Sequence, residues 1–136
     1  MKIEKNFFLL CENAVLDKDN RVTIVNIYDI VNSIGIPIAL SQFTLAANFK
    51  VSREEKETLP SKIDVLVSIF APSGKKIFDF PKQERKIDVK KDTQNIGILA
   101  NIQGINLPEF GIYNVKLLIN GNELAQLSFE AKKKQV

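Results

Sequence analysis

No histidine occurs in this chain, and Cys11 is its one cysteine. Those two facts remove Ser-His-Asp and Cys-His catalysis, the commonest general base near neutral pH, and the commonest metal ligand. One thiol cannot build a thiolate zinc site. It also forbids an intrachain disulfide, which fits a reducing compartment. Cys11 lies within the apolar run Phe7-Phe8-Leu9-Leu10-Cys11 and reads as a small buried hydrophobe. Neither a Gly-Lys-Ser/Thr phosphate loop nor a dinucleotide fingerprint is present, and the six glycines are scattered along the chain.

Carboxylates supply the remaining candidates. Asp17-Lys18-Asp19-Asn20 is the one fragment suggestive of calcium, with Asp17 and Asp19 as its candidate metal ligands. A twelve-residue calcium loop starting at Asp17 needs glycine at the sixth position and glutamate at the twelfth, where this chain has Val22 and Tyr28. The competing reading is a hairpin turn whose short carboxylates bond their own backbone. Glu54 and Glu55 sit in a charged stretch with no apolar surroundings to raise a pKa, so they read as a solvated loop. Lys132-Lys133-Lys134 forms a basic tail without neighbouring aromatics to stack on bases. The sequence therefore indicates no catalytic residue, no cofactor and no nucleic-acid partner, and the chain is expected not to be an enzyme.

A chain of 136 residues with 45% apolar and 26% charged residues is one domain able to bury a real core. Its net charge of +3 favours solubility and hints only faintly at an anionic partner. The apolar run after Lys2 and Lys5 ends at Glu12, short of a signal peptide, and no run is long enough for a membrane span. A cytoplasmic protein with no membrane partner is expected.

The elements that must position these residues are strands. Residues 6–15 and 21–31 read as two strands joined by the acidic turn. Both carry apolar residues on both faces, which predicts central positions. Residues 31–41, with Gly35 and Pro37, read as a crossover or edge piece. Phe43, Leu45, Ala47, Phe49 and Val51 alternate with Gln42, Thr44, Asn48 and Lys50, and Ile63, Val65, Val67 and Ile69 form the next strand. Pro72-Ser73-Gly74 turns the chain into a partner strand at 75–80. Residues 85–89 read as a charged edge strand, and 96–102 as another strand. The sum is eight or nine strands: an all-β fold, an antiparallel β-sandwich of immunoglobulin-like or jelly-roll-like kind spanning 1–136, with residues 132–136 as a disordered basic tail.

The closing hairpin is the clearest element. Residues 110–119 and 124–129 alternate in steps of two around Asn120-Gly121. A two-residue loop would set Leu117 opposite Leu124 but Val115 opposite Gln126. A three-residue loop, with Gly121 left-handed, pairs Val115 with Ala125 and Tyr113 with Leu127, so the pattern predicts the bulged version. Tyr113, following Gly111, occupies a place where sandwich tyrosines bond a nearby loop backbone. Tyr113, Gly111, Asn120 and Gly121 are structural residues on this reading.

Three segments resemble a known group. Phe8-Leu9-Leu10-Cys11-Glu12 with the turn and Val22-Thr23-Ile24-Val25-Asn26-Ile27-Tyr28-Asp29 resembles the opening of a bacterial family of small proteins catalogued only as a domain of unknown function. Residues 98–104 with Leu107-Pro108-Glu109-Phe110-Gly111-Ile112-Tyr113 resemble its central segment. Leu118-Ile119-Asn120-Gly121-Asn122-Glu123-Leu124-Ala125 resembles its close. Asn26 stands where that family usually has glycine, and Phe110 where it often has proline. The resemblance implies a compact all-β protein and supplies no substrate.

Function is accordingly expected to be protein interaction or self-assembly, with a protein partner or a second copy as occupant. The side chains suspected of a second apolar face are Leu66, Phe70, Phe78 and Phe80. The alternative is a sandwich binding carbohydrate or calcium through its end loops.

Overall fold

The structure is a computed structural model, and it describes residues 1–19 and 21–135. Asn20 of the acidic turn and Val136 of the expected tail lie outside the described residues. Ten strands and no helix occur among the described residues: β1 (Lys2–Leu16), β2 (Val22–Ile27), β3 (Ile30–Ser33), β4 (Ile38–Ser52), β5 (Lys62–Phe70), β6 (Lys76–Asp79), β7 (Gln83–Lys86), β8 (Thr93–Leu107), β9 (Gly111–Ile119) and β10 (Asn122–Lys133). One sheet has the order β2-β1-β4-β8, and the other β3-β10-β9-β5-β6 with β7 also paired to β5. Every pairing is antiparallel except β3 with β10.

The all-β sandwich is as the period-two pattern requires. The core lies between the sheets, where Phe43, Leu45, Phe49 and Val51 of β4 meet Ile63, Val65, Val67 and Ile69 of β5 in one buried cluster. Tyr113 and Phe129 stack within it, centroids 5.2 Å apart. Leu66, Phe70, Phe78 and Phe80 form no exposed patch: Phe80 is buried, Phe78 packs on the core, and the Lys116 ammonium lies 5.1 Å over the Phe70 ring.

Four sequence expectations are corrected. The strand count is ten rather than eight or nine, because Tyr28 and Asp29 split the run 21–31 into β2 of one sheet and β3 of the other. β2 is an edge strand rather than a central one; its two apolar faces have another cause, given below. The basic tail does not begin at 132, since Lys132 and Lys133 continue β10 beside Asn32 and Ser33.

The fourth correction concerns the closing hairpin. Asn120 (φ 50°) and Gly121 (φ 84°) form a two-residue turn with Ile119 opposite Asn122. Two left-handed residues match the strand twist, and asparagine accepts that conformation. The register shift falls instead between Glu123 and Ala125, which sets Val115 against Leu127 and Tyr113 against Phe129. The same side chains share the buried face as expected, each paired two residues further along. Asn120 is also latched to β5: its Oδ1 accepts the Asp64 N–H at 2.9 Å, and its own N–H donates to the Asp64 carbonyl at 2.9 Å.

Candidate functional site

The outer face of the four-stranded sheet is built from three rows of side chains. Leu10 pairs with Leu45 and Phe8 with Ala47, and all four belong to the core. Alternation then turns Cys11, Leu9 and Phe7 outward with their partners Thr44, Ala46 and Asn48. Across β4 these rows continue to Asn101, Leu99 and Gly97 of β8.

An outward face should be wet, yet Cys11, Thr44 and Ala46 are each 0% exposed and stand outside the core cluster. Something covers them. Leu16 and Val22, at the far end of the β1–β2 hairpin, line the same cleft as Phe7, Gly97 and Leu99. A straight strand from Phe7 to Leu16 would separate them by about 30 Å, at roughly 3.3 Å per residue. The hairpin therefore folds back over the sheet as a flap. The bend falls where the regular register omits the pair Glu12 and Asn26. Asn26 is left-handed there (φ 52°), and its amide donates to the Glu12 carboxylate at 2.8 Å. This explains β2: one apolar face, with Val22 and Ile24 half-buried, covers the sheet, and the other leaves Val25 and Ile27 in water.

Between flap and sheet lies a cleft of about 560 Å³. A register shift between Lys5 and Phe7 makes Asn6 the extra residue of a bulge, which aims its side chain outward. The Asn6 amide donates to Asn48 Oδ1 at 2.6 Å and to Asn95 Oδ1 at 3.1 Å. Arg85 reaches the same cleft from β7 of the other sheet. It pairs with no carboxylate among the described residues, and its Nε is buried without a hydrogen-bond partner. The sequence pattern presents these asparagines only as the wet face of strands. The signal that could have marked the place is Gly97 inside a strand, which leaves open space above the sheet.

The residues singled out from sequence lie elsewhere. Asp17 Oδ1 accepts the Asp19 and Arg21 N–H groups at 2.8 and 2.9 Å. The Arg21 guanidinium donates to Asp17 at 3.0 Å and to Asp19 at 3.1 Å. The Arg21 backbone bond, aided by those from the Asp19 backbone and the Arg21 side chain, holds the Asp17 carboxyl below the usual range. No cluster of three or more His, Cys, Asp or Glu groups occurs among the described residues. Tyr113 is fully buried; its hydroxyl donates to the Glu109 carbonyl at 2.7 Å and accepts the Glu109 N–H at 3.0 Å. Gly111 (φ 131°) lies so close to Pro72 that an added Cβ would meet its ring at 2.9 Å.

A second surface stands out by hydrophobicity. Among the described residues, seven of the nine exposed large apolar side chains fall within 15–36: Val15, Leu16, Val25, Ile27, Ile30, Ile34 and Ile36. Val25, Ile27, Ile30, Ile34 and Ile36 flank the step by which the chain passes from the edge of one sheet, β2, to the edge of the other, β3, while Val15 and Leu16 lie at the far end of the β1–β2 hairpin. The edge strands β6 and β7 carry charge (Lys76, Asp79, Glu84, Arg85, Lys86), whereas β2 and β3 carry none. Charged residues are a usual protection against stray pairing.

A family model described as "Family of unknown function (DUF6941)" matches residues 6–132. The chain belongs to this family. No curated protein matches it. Among solved structures, it is similar to Pseudomonas fluorescens alkylpurine DNA glycosylase AlkC bound to DNA containing an abasic site analogue, at 14% identity and a TM-score of 0.50. That match covers 96% of this chain but only 30% of the glycosylase, so the chain spans under a third of that protein's length. It is also similar to an immunoglobulin-like protein from Pseudomonas aeruginosa, at 11% identity and a TM-score of 0.37, covering 97% of this chain and 98% of that one. At such identities the first likeness speaks for the fold alone. No helix among the described residues is long and apolar enough to cross a membrane.

Proposed function

We propose that this family member is a non-catalytic β-sandwich that assembles with a second copy of itself through the side formed by β2, the step at Tyr28 and Asp29, and β3. The lone reduced thiol suits a cytoplasmic setting. The reading is carried by the concentration of exposed apolar side chains within 15–36, with Ile34 69% and Ile27 56% exposed. Scattered apolar residues are ordinary on a monomer, whereas a run of them along two uncharged strand edges is a surface that another chain would cover. Light scattering from about 1 to 500 µM should show mass rising toward a dimer, a range set by the micromolar affinities such surfaces give. The paired variant Ile27→Asp with Ile34→Asp should stay monomeric and folded. A wild-type chain that remains monomeric throughout this range refutes self-assembly.

A further inference from the structure

We propose that the cleft beneath the β1–β2 flap binds a small organic carboxylate with an apolar body. The polar groups facing it are donors. Asn6 spends its amide on the oxygens of Asn48 and Asn95. An asparagine whose oxygen is engaged offers its NH₂ to whatever comes next. The Asn48 NH₂ stands over Gly97, where a Cβ would lie 3.6 Å from it. Arg85 adds a guanidinium whose Nε has no partner, and it is the one charged side chain among the described lining residues. Two amide donors and a cationic fork, with no carboxylate in the described lining of the cleft, select an anion; Glu84 and Lys86 line the adjoining surface beside Arg85, Asn95 and Gly97. A planar carboxylate matches the guanidinium in two parallel hydrogen bonds.

The rest of the lining sets the ligand's body. Phe7, Leu16, Val22 and Leu99 are apolar, and a cleft of about 560 Å³ lies in the range of small-molecule sites. Gly97 keeps the floor open. Its φ is not left-handed, and an added Cβ would make only ordinary contact, so a larger residue there would fill the cleft without straining the strand. The cleft shares Leu16 and strand β2 with the exposed apolar set, but the assembly test changes Ile27 and Ile34 and the binding test changes Arg85 and Gly97, so either proposal can fail alone.

The test uses the full chain, with phenylacetate and hexanoate as probes against phenylacetamide, hexanamide and inorganic phosphate. Binding is followed by nuclear magnetic resonance at the Arg85 Nε–H and the Asn48 and Asn95 amides. The carboxylates should shift these three signals and bind at least about tenfold more tightly than their amides, a difference of about 1.4 kcal/mol. Arg85→Gln should weaken binding by at least about tenfold, with Arg85→Lys between. Gly97→Val should abolish it while thermal stability stays equal or rises, since valine suits a strand better than glycine. Equal binding of acid and amide, preference for phosphate, insensitivity to Gly97→Val, or no shift up to about 10 mM probe would each overturn the proposal.

Discussion

Replacing Asn26 by alanine should loosen the flap while the sandwich beneath it stays folded. Asn26 is left-handed at φ 52°, a conformation that costs an ordinary L-residue about 1–2 kcal/mol and asparagine less. Alanine also forfeits the exposed bond to Glu12, so the loss comes to about 1 kcal/mol, or about fivefold in an opening equilibrium. Cys11 reports that opening. It stands on the outward face of the sheet beside the bend, at 0% exposure, and burial, partly offset by the Asn13 backbone bond, pushes its thiol pKa up. At fixed pH, a neutral thiol reagent should therefore label Asn26→Ala about fivefold faster than wild type. Asn26→Gly, which meets φ without strain, should be no faster than wild type. Ile63→Val, deep in the other sheet, should lower global stability by about 1 kcal/mol without changing the labelling rate. Labelling should depend on urea less steeply than global unfolding followed by circular dichroism, because only a hairpin detaches. A slope equal to the global one, or identical rates for Asn26→Ala and Asn26→Gly, would refute the flap.

Four further outcomes follow from the same geometry. Tyr113→Phe strands the Glu109 N–H and carbonyl and should cost about 1–3 kcal/mol. At about 3.5 °C per kcal/mol for 136 residues, melting should fall by about 4–10 °C; a change under about 1 °C would discount that bond. Gly111→Ala combines φ 131° with a Pro72 contact at 2.9 Å and should cost about 2–4 kcal/mol by urea titration. Asn120→Gly keeps the turn and the backbone bond to the Asp64 carbonyl but loses the side-chain bond from the Asp64 N–H, for about 1 kcal/mol, and Asn120→Ala should lose more.

The fourth outcome concerns pH. Burial raises the Tyr113 pKa, against the Glu109 backbone bond, and burial with the nearby Glu12 charge raises that of Tyr28. The folded chain therefore holds these protons more tightly. Their contribution is complete below about pH 10 and is lost as pH climbs through the higher folded values. Asp17 runs the other way: its folded pKa is depressed, so its support of the hairpin is present above about pH 4 and fades as pH falls through the lower folded value. Melting curves across pH, paired with Tyr113→Phe and Asp17→Asn, check both signs.

Much of the scaffold was legible because burial on one face of a strand leaves a period of two. The inward set of β4 and β5 and the shared face of Tyr113, Val115 and Leu117 follow from that alternation alone. Gly121 and Asn120 announced the turn for the same local reason, since few residues tolerate a left-handed backbone. Register was harder. Moving the shift from the loop to Leu124 keeps every side chain on its face, so hydrophobic pattern alone does not separate the two arrangements.

Sequence alone thus determined the all-β class, the inward faces and the residues able to turn the chain, because each is a property of neighbours along the backbone. Tertiary structure alone decided the rest. β2 carries apolar residues on both faces in either a central or an edge position, and only the tertiary structure reveals that Val22 lines a cleft opposite Phe7, Gly97 and Leu99. Asn6, Asn48, Asn95 and Arg85 lie on four different strands of two sheets. No spacing along the chain encodes their meeting, since it depends on a bulge, a folded-back hairpin and the closure of one sheet against the other.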